Sequence, residues 1–385
     1  MTHSSKGALL CVSNYRANRG FAWDFIESLY ARIADQLAKD SISTLVAYPS
    51  IPSPPRSLEG SAARAIALDC SLDTAESVHA TTRLIQQENI KVVYFTDRPE
   101  RSWNYARLRR AGVRRIIVHD HSSGERTRPR GAKRAAKWFL ARVPGMVADV
   151  VVTVSEYVAR RQVDVGLIPP DRVVTVWNGL PVPPSKVAGE PSAHLGFGIP
   201  AGRPVVVCAC RATPEKGVAH FLRAFDKVAR AQNGNRPVAL YLGEGPQMGE
   251  LQALRESLPS REDIILAGYL LDASQMLDRA DLCVIPSVWQ DAFPLSVLEA
   301  MARGKAVIAS RVGGIPEMID HNVHGLLVAP GDEASLSAAM RQLLADRDRA
   351  ARLGEAARRR VAEQFTPERQ VRSLVEIVEA GFNTQ

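Results

Sequence analysis

The 385-residue sequence lacks the features that mark several common protein classes. Its five cysteines are odd in number, widely scattered, mostly set in apolar runs, and without the C-x-x-C spacing of a zinc site. Such usage predicts reduced, buried thiols in a cytosolic protein. The first apolar stretch, Ala8 to Val12, is followed at once by Asn14, Tyr15 and Arg16. We therefore expect neither a signal peptide nor a membrane span.

Two nucleotide-binding motifs are also missing. No G-x-G-x-x-G follows the first predicted strand, which argues against a dehydrogenase, and no G-x-x-x-x-G-K-[ST] occurs. The one D-x-D, at 346–348, falls between two predicted helices, where acids serve as caps. With 46% hydrophobic and 23% charged residues, the composition is globular and excludes disorder, collagen and coiled coil.

The charge is uneven along the chain. The formal net charge is +8, from 49 Lys and Arg against 41 Asp and Glu. Between Arg101 and Arg142 there are 13 basic residues and two acids, which leaves 36 basic and 39 acidic residues elsewhere. One basic segment on a nearly neutral chain predicts an anionic partner at one site, not nucleic-acid coating.

A predicted helix from Ala132 to Ala141 carries much of this charge next to Trp138 and Phe139. Cations beside aromatic groups suit an anionic lipid surface. The alternative is a solvated face with both aromatic rings in the core. Because further arginines precede the helix, we favour a membrane patch made of Arg128, Arg130, Lys133, Arg134, Lys137 and Trp138.

Short β-branched runs alternate with amphipathic helical stretches, which predicts an α/β fold with parallel strands. A stretch rich in Pro, Gly and Ser interrupts the rhythm. We expect an N-terminal domain at 1–182, a hinge at 183–203 and a second domain at 204–365, with a helix at 366–385 packing back on the first. Two such sheets would face each other across a cleft and bind ligands at the carboxyl ends of their strands.

The stretch from Asp291 to Gly304 follows an apolar predicted strand. Because Pro294 suits the first turn of a helix, the N–H groups of Leu295 and Ser296 would point outward, unpaired, as an anion site. Asp291 and Glu299 could accept hydrogen bonds from sugar or ribose hydroxyls. Alternatively, they are an acid that favours the helix dipole and a surface glutamate.

The loop from Arg211 to Gly217 follows another predicted strand. Its Arg211 and Lys216 could clamp a diphosphate through charge-assisted hydrogen bonds. Alternatively, both side chains are solvated. Two glycine-punctuated turns, Gly243-Glu244-Gly245-Pro246 and Gly313-Gly314-Ile315-Pro316-Glu317, are each typical of any strand-to-helix connection.

In their order and spacing, these motifs resemble the nucleotide-binding domain of family 4 glycosyltransferases, retaining enzymes of the GT-B fold. The resemblance runs from Arg211 to about Val371. It rests on Arg211 with Lys216-Gly217, Gly243-Glu244-Gly245-Pro246, the carboxylates at 291 and 299 with Ala300-Met301-Ala302-x-Gly304, Gly313-Gly314-x-Pro316-Glu317, and His324-Gly325-Leu326-Leu327-Val328. Ser155-Glu156 and Asn178-Gly179 extend it more weakly into the first half.

The resemblance implies two Rossmann-like, doubly wound domains and metal-independent transfer of a sugar, without a cofactor. The donor would be a UDP-, GDP- or ADP-sugar and the acceptor a glycan or a lipid-linked precursor of surface glycans. It also implies that Arg211 and Lys216 hold the diphosphate, that Glu299 takes the ribose hydroxyls, and that Asp291 and the amides after it grip the sugar. Further donor-binding residues would be Gly20, Gly245, Phe293, Leu295 and Ser296.

In the first half, the predicted strand that starts at Arg115 ends in His119-Asp120-His121. The resemblance assigns His119, or second His121, to the active site near the reacting carbon, and Asn178 to the acceptor side. The alternative is a solvent-exposed or structural histidine pair. A metal is not expected, because no third ligand is spaced near the pair.

Two departures from the family pattern leave the donor sugar open. Asp291 stands where the family usually has Glu, and Phe293-Pro294 where many members have Phe-Gly. Two other functions fit the same residues: a binding protein of this fold that has lost transfer, and a nucleotide-sugar epimerase. In each case we expect a cytoplasmic protein, peripheral on the cytoplasmic face of the membrane if the basic patch binds lipid.

Overall fold

The computed structural model of the chain describes residues 6–18, 20–184, 197–200, 202–232, 234–270 and 273–383. Two compact units are present: Met1–Ser122 with Arg126–Trp177 and Glu368–Gln385, and Ser123–Glu125 with Asn178–Pro367. The limits predicted for the domains stay predictions, because most of the expected hinge at 183–203 lies outside the described residues.

Within the described residues, the first unit contains a seven-stranded sheet of order β3-β2-β1-β4-β5-β6-β7, in which all neighbours pair in parallel. The strands are β1 (Ala8–Val12), β2 (Ser43–Tyr48), β3 (Ala63–Ala67), β4 (Ile90–Thr96), β5 (Arg115–Asp120), β6 (Val150–Thr153) and β7 (Val173–Thr175). Its helices are α1 (Phe21–Ala38), α2 (Ala75–Gln87), α3 (Trp103–Ala111), α4 (Gly131–Leu140), α5 (Glu156–Asp164) and, late in the chain, α13 (Pro367–Glu379).

Both faces of this sheet are buried, as parallel sheets require. Leu10 and Phe95 belong to the core on one face, and Leu9 and Tyr94 to the core on the other. Helix α13 contributes apolar side chains, among them Leu374, to the second of these cores.

The second unit, in its described part, contains a six-stranded parallel sheet of order β10-β9-β8-β11-β12-β13. The strands are β8 (Val205–Ala209), β9 (Val238–Leu242), β10 (Ile264–Leu266), β11 (Leu282–Ile285), β12 (Ala306–Ser310) and β13 (Leu326–Val328). The helices are α6 (Val218–Ala231), α7 (Met248–Ser257), α8 (Ser274–Arg279), α9 (Leu295–Ala302), α10 (Ile315–Met318), α11 (Glu333–Ala345) and α12 (Arg347–Gln364).

The predicted α/β class is confirmed, and the apolar runs that start at Ala8 and Arg115 form strands, as do the runs before the loops that contain Arg211 and Asp291. Strand β3 and several helices, among them α3, α5 and α8, were not predicted. Strand β3 is an edge strand of sequence Ala-Arg-Ala-Ile-Ala with partly exposed side chains, so it lacks the continuous β-branched run that marks the inner strands. Asp346 caps α12 by accepting a hydrogen bond from the amide of Arg349, which confirms the capping interpretation of the D-x-D.

The strand order places the loop after β1 next to the loop after β4, and the loop after β8 next to the loop after β11. In the first sheet the order reverses between β1 and β4, and in the second between β8 and β11. Loops that leave the carboxyl ends of two such strands diverge and open a crevice, which is where doubly wound sheets bind ligands. Among the helices that the structure describes, none is both long enough and apolar enough to cross a bilayer.

Candidate functional site

The loops after β8 and β11 meet at the switch point of the second sheet. A single helical turn, Pro214–Lys216, follows β8 and ends at Gly217, whose φ of +68° suits glycine. A Cβ at Gly217 would lie 2.1 Å from the carbonyl oxygen of Pro286, so the backbones of the two loops are in direct contact. This approach brings the Nζ of Lys216 to 2.6 Å from an Oδ2 of Asp291.

Asp291 is 7% exposed and tightly held. Besides Lys216, the hydroxyl of Ser287 donates to its Oδ2 at 3.1 Å, and the hydroxyl of Ser123, which belongs to the second unit, donates to its Oδ1 at 3.2 Å. The amide of Gly314 donates to its carbonyl oxygen at 2.8 Å. A carboxylate fixed by one cation and two hydroxyls is pre-oriented toward whatever binds beside it.

Arg211, the other predicted clamp residue, is exposed. Among the described residues no carboxylate forms an ion pair with it, so its guanidinium is available to an anion. The predicted donor-binding Gly245 lies beside this loop: its φ is +157°, and a Cβ there would lie 2.5 Å from the carbonyl oxygen of Ala212. Gly245 therefore shapes the loop by letting two backbone segments touch.

Helix α9 starts one residue later than expected, with Pro294 as its N-cap. The amides of Leu295 and Ser296 donate to no described acceptor, as predicted for an anion site. The ring of Phe293 is buried with its centroid 5.4 Å from that of Phe365, so only its backbone can face a ligand. Asn178 is buried in the same unit, with its Nδ2 3.5 Å from the carbonyl oxygen of Phe293.

Glu299 lies within α9 and is only partly exposed. Burial raises the pKa of its carboxyl to about 7, and the charge of Arg303 offsets this only in part. No described group donates a hydrogen bond to that carboxylate. A partly desolvated carboxylate without donors is a site that hydroxyl groups of a ligand could satisfy.

The histidine pair lies at the carboxyl end of β5. His119 is fully buried, and its Nδ1 shares a hydrogen bond with the hydroxyl of Tyr94. Burial, and to a lesser extent the neighbouring His121, lowers the pKa of His119 well below its ordinary value, so its ring is neutral. The two imidazole centroids are 4.0 Å apart, and His121 is only half-buried. Of the two, His121 is therefore the ring nearer solvent, whereas the resemblance put His119 first.

A buried ion pair supports this strand end and was not predicted. Arg161 of α5 lies 3.0 Å from Asp120, and both side chains are about 5% exposed. Burial alone would raise the pKa of Asp120, but Arg161 together with hydrogen bonds from Ser122 and Gln162 lowers it instead. The pair fixes the backbone between the two histidines.

Gly20, predicted to let backbone approach the donor, precedes α1 with a φ of +126°. Apart from its chain neighbours, no atom of the described residues lies within 4 Å of where its Cβ would be, so open space adjoins it. Nowhere in the described ranges do three or more His, Cys, Asp or Glu side chains form a group that could hold a metal ion.

The six residues of the predicted membrane patch are not equivalent. Arg128 pairs with Asp164 at 2.7 Å, and the Nζ of Lys137 donates to the carbonyl of Val165 at 2.6 Å. Trp138 is 50% exposed, which excludes the alternative that placed it in the core. Its indole stacks under Arg142, with 4.1 Å between the guanidinium carbon and the ring centroid. The remaining members, Arg130, Lys133 and Arg134, are exposed.

Comparison with known proteins agrees with the two-unit architecture. The family profile described as Glycosyl transferases group 1 matches residues 193–360, and that of Glycosyltransferase Family 4 matches residues 26–182. The structure of Anabaena HepE in complex with UDP-glucose superposes with a TM-score of 0.74 and 18% identity, over 97% of this chain and 100% of that one.

Two curated relatives are more similar in sequence. The GDP-mannose-dependent α-(1-6)-phosphatidylinositol monomannoside mannosyltransferase of Mycobacterium tuberculosis is 30% identical over 74% of each chain. The α-maltose-1-phosphate synthase of Mycolicibacterium smegmatis is 34% identical over 62% of this chain, and the match spans 61% of its own length. The chain belongs to the family 4 glycosyltransferases and has their GT-B fold.

Proposed function

We propose that this chain is a retaining glycosyltransferase that moves a sugar from a nucleotide-diphosphate sugar to a glycolipid or polysaccharide precursor. The observation that carries the proposal is the contact between Lys216 and Asp291 at the switch point of the second sheet, beside the exposed Arg211. Two cations, one oriented carboxylate and free helix amides match a diphosphate with a sugar attached.

In this proposal the diphosphate lies between Arg211 and the amides of Leu295 and Ser296. Lys216 bridges the diphosphate and Asp291, because an ammonium has three N–H donors and Asp291 uses one. Asp291 keeps the orientation that Ser287 gives it and accepts hydrogen bonds from the sugar hydroxyls.

Bond cleavage places negative charge on the departing nucleoside diphosphate. Arg211 and Lys216 stabilise that charge, and Lys216 is already held by Asp291 before the reaction begins. The acceptor hydroxyl attacks on the face that the diphosphate leaves and gives its proton to the departing phosphate oxygen, so the configuration at the reacting carbon is retained without a covalent intermediate on the protein. The resemblance assigns a histidine to the reaction, and of the pair His121 is the partly exposed ring, with neutral His119 packed against it.

Glu299 is proposed to accept hydrogen bonds from the ribose hydroxyls. The relatives support a nucleotide donor but differ in its identity: GDP-mannose in the name of the mycobacterial mannosyltransferase, UDP-glucose in the HepE complex. The name of the first also supports a lipid-linked acceptor.

Isothermal titration of UDP, GDP and ADP against the wild type and Arg211→Ala tests the diphosphate site. Each charge-assisted hydrogen bond contributes about 1.5–3 kcal/mol, so the variant should bind the preferred nucleotide about 10- to 100-fold more weakly. Arg341→Ala removes another exposed arginine of the same unit and should leave affinity unchanged. Equal affinity of Arg211→Ala and wild type contradicts the proposed site.

Turnover separates the proposal from its alternatives. Lys216→Ala should remove most transfer, because it takes away a cation that stabilises the leaving diphosphate. Full activity of this variant contradicts the proposed role. Binding without transfer to any acceptor would support a non-catalytic protein, and a changed sugar in a sample with donor alone would support an epimerase.

A further inference from the structure

Helix α4 (Gly131–Leu140) is unusual in that none of its residues is buried. Its aromatic side chains, Trp138 and Phe139, are 50% and 65% exposed. Large apolar groups in water gain free energy when another surface covers them. The exposed pair marks α4 as a surface that a partner would cover.

The helix has little local support. Arg130, its N-cap, makes no side-chain capping bond, and its first turn contains no acid. Lys133 and Arg134 lie near the positive end of the helix dipole, where cations are unfavourable. A ten-residue helix with neither cap nor buried face is marginal in water. Its sequence therefore suits a helix that a contacting surface stabilises.

Among the contacts of the described residues, those that tie α4 to the rest of the first unit lie at its carboxyl end. Arg101 donates to the carbonyl of Gly166 at 2.8 Å and reaches that of Lys137 at 3.4 Å. The Nζ of Lys137 donates to the carbonyl of Val165, and Arg142 reaches that of Leu167. The amino end of the helix is left facing solvent.

That free end is cationic. Arg130, Lys133 and Arg134 are exposed, and among the described residues no carboxylate pairs with them. Arg130, Arg134 and Trp138 are spaced four residues apart, so they share one face of the helix. Phe139 lies about 100° further round the helix than Trp138, so the cations flank an apolar side, which matches a surface with negative headgroups above an apolar layer.

We propose that α4 binds the surface of an anionic phospholipid bilayer, with Trp138 and Phe139 inserted among the acyl chains and Arg130, Lys133 and Arg134 on the headgroup phosphates. A protein partner would need carboxylates matched to three flexible cations, whereas a bilayer offers anions without defined positions. Arg128 and Lys137 act less directly, because both already have partners in the first unit. The inference goes beyond the proposed function and does not depend on sugar transfer.

Co-sedimentation of the full chain with vesicles tests the proposal. We expect binding to phosphatidylcholine vesicles that contain 30% phosphatidylglycerol, weaker binding at 0.5 M NaCl, and little binding to pure phosphatidylcholine. Each basic residue near an anionic surface strengthens binding about fivefold. The triple variant Arg130→Ser, Lys133→Ser, Arg134→Ser should therefore bind on the order of 100-fold more weakly.

The double variant Trp138→Ser, Phe139→Ser keeps every charge and should bind about tenfold more weakly through lost apolar burial. A matched control, Arg341→Ser, Arg347→Ser, Arg352→Ser, removes the same charge from exposed positions of the second unit and should bind as the wild type does. Circular dichroism and thermal melting check that each variant folds.

The proposal would be overturned by no binding of the wild type to the anionic vesicles, by equal loss in the control triple variant, or by unchanged binding of the aromatic variant. Binding to an acidic polysaccharide or to nucleic acid in place of the vesicles would do so as well. Nucleoside diphosphate affinity is measured on the same samples. If it is lost together with vesicle binding, α4 belongs to the substrate site and the bilayer assignment fails.

Discussion

Replacing Glu299 with Gln should make the free protein more stable than the wild type. It should make the nucleotide-bound protein less stable than the nucleotide-bound wild type. Burial raises the pKa of Glu299 to about 7 from an ordinary value of 4.5. Above pH 7 the fold therefore holds an ionised carboxylate that is poorly solvated. Glutamine keeps the shape of the side chain and removes this charge.

The magnitude follows from proton linkage. The folded state binds more protons than the unfolded state between pH 4.5 and 7, so Glu299 lowers the free energy of unfolding as the pH rises through that range. Each tenfold change in proton affinity corresponds to about 1.4 kcal/mol, so at pH 8 the ionised Glu299 lowers the free energy of unfolding by at most about 3 kcal/mol. Because the side chain is partly exposed, solvent screening reduces the effect, and we expect about 1–2 kcal/mol.

Urea unfolding of wild type and Glu299→Gln at pH 4.5 and pH 8 measures this difference. The variant should be more stable at pH 8 by the amount above and nearly equal at pH 4.5. Nucleotide affinity of the wild type should also fall as the pH drops below 7, and the affinity of the variant should not. A variant that is no more stable at pH 8 and that binds nucleotide as the wild type does would refute both the burial argument and the ribose role.

Other substitutions test the supports of the site. Gly313→Ala places a Cβ at a φ of +55° and 1.9 Å from the carbonyl oxygen of Asp291, so it should lower the free energy of unfolding by at least about 2 kcal/mol. The control Gly249→Ala, in a helix and with no described side chain within 4 Å of the added Cβ beyond its chain neighbours, should raise it by roughly 0.5 kcal/mol. Arg161→Met leaves Asp120 buried without its cation, so urea unfolding should show a loss of roughly 3–5 kcal/mol. A second change, Asp120→Asn, should restore part of that loss, and no restoration would contradict the ion-pair argument.

The sequence predicted the strands well because most of them are continuous apolar runs that parallel sheets bury on both faces. Those runs also located the loops after β8 and β11, and with them Arg211, Lys216 and Asp291. Strand β3 was missed because an edge strand needs no such run.

The contacts between loops could not be predicted in the same way. Lys216 and Asp291 are 75 residues apart in sequence, and Ser123 and Asp291 are 168 residues apart, so only the order of strands brings them together. The burial of His119 depends on side chains from other strands, above all Tyr94. No spacing within His119-Asp120-His121 distinguishes an enclosed ring from an accessible one.

Anomeric analysis of a transfer reaction tests the central claim most directly. The protein is incubated with the UDP-, GDP- or ADP-sugar whose nucleotide binds most tightly, together with a lipid-linked acceptor, and the product is examined by NMR. We expect release of the nucleoside diphosphate and a product with the configuration of the donor sugar, both lost in Lys216→Ala. An inverted product, or a Lys216→Ala variant as active as the wild type, would contradict it.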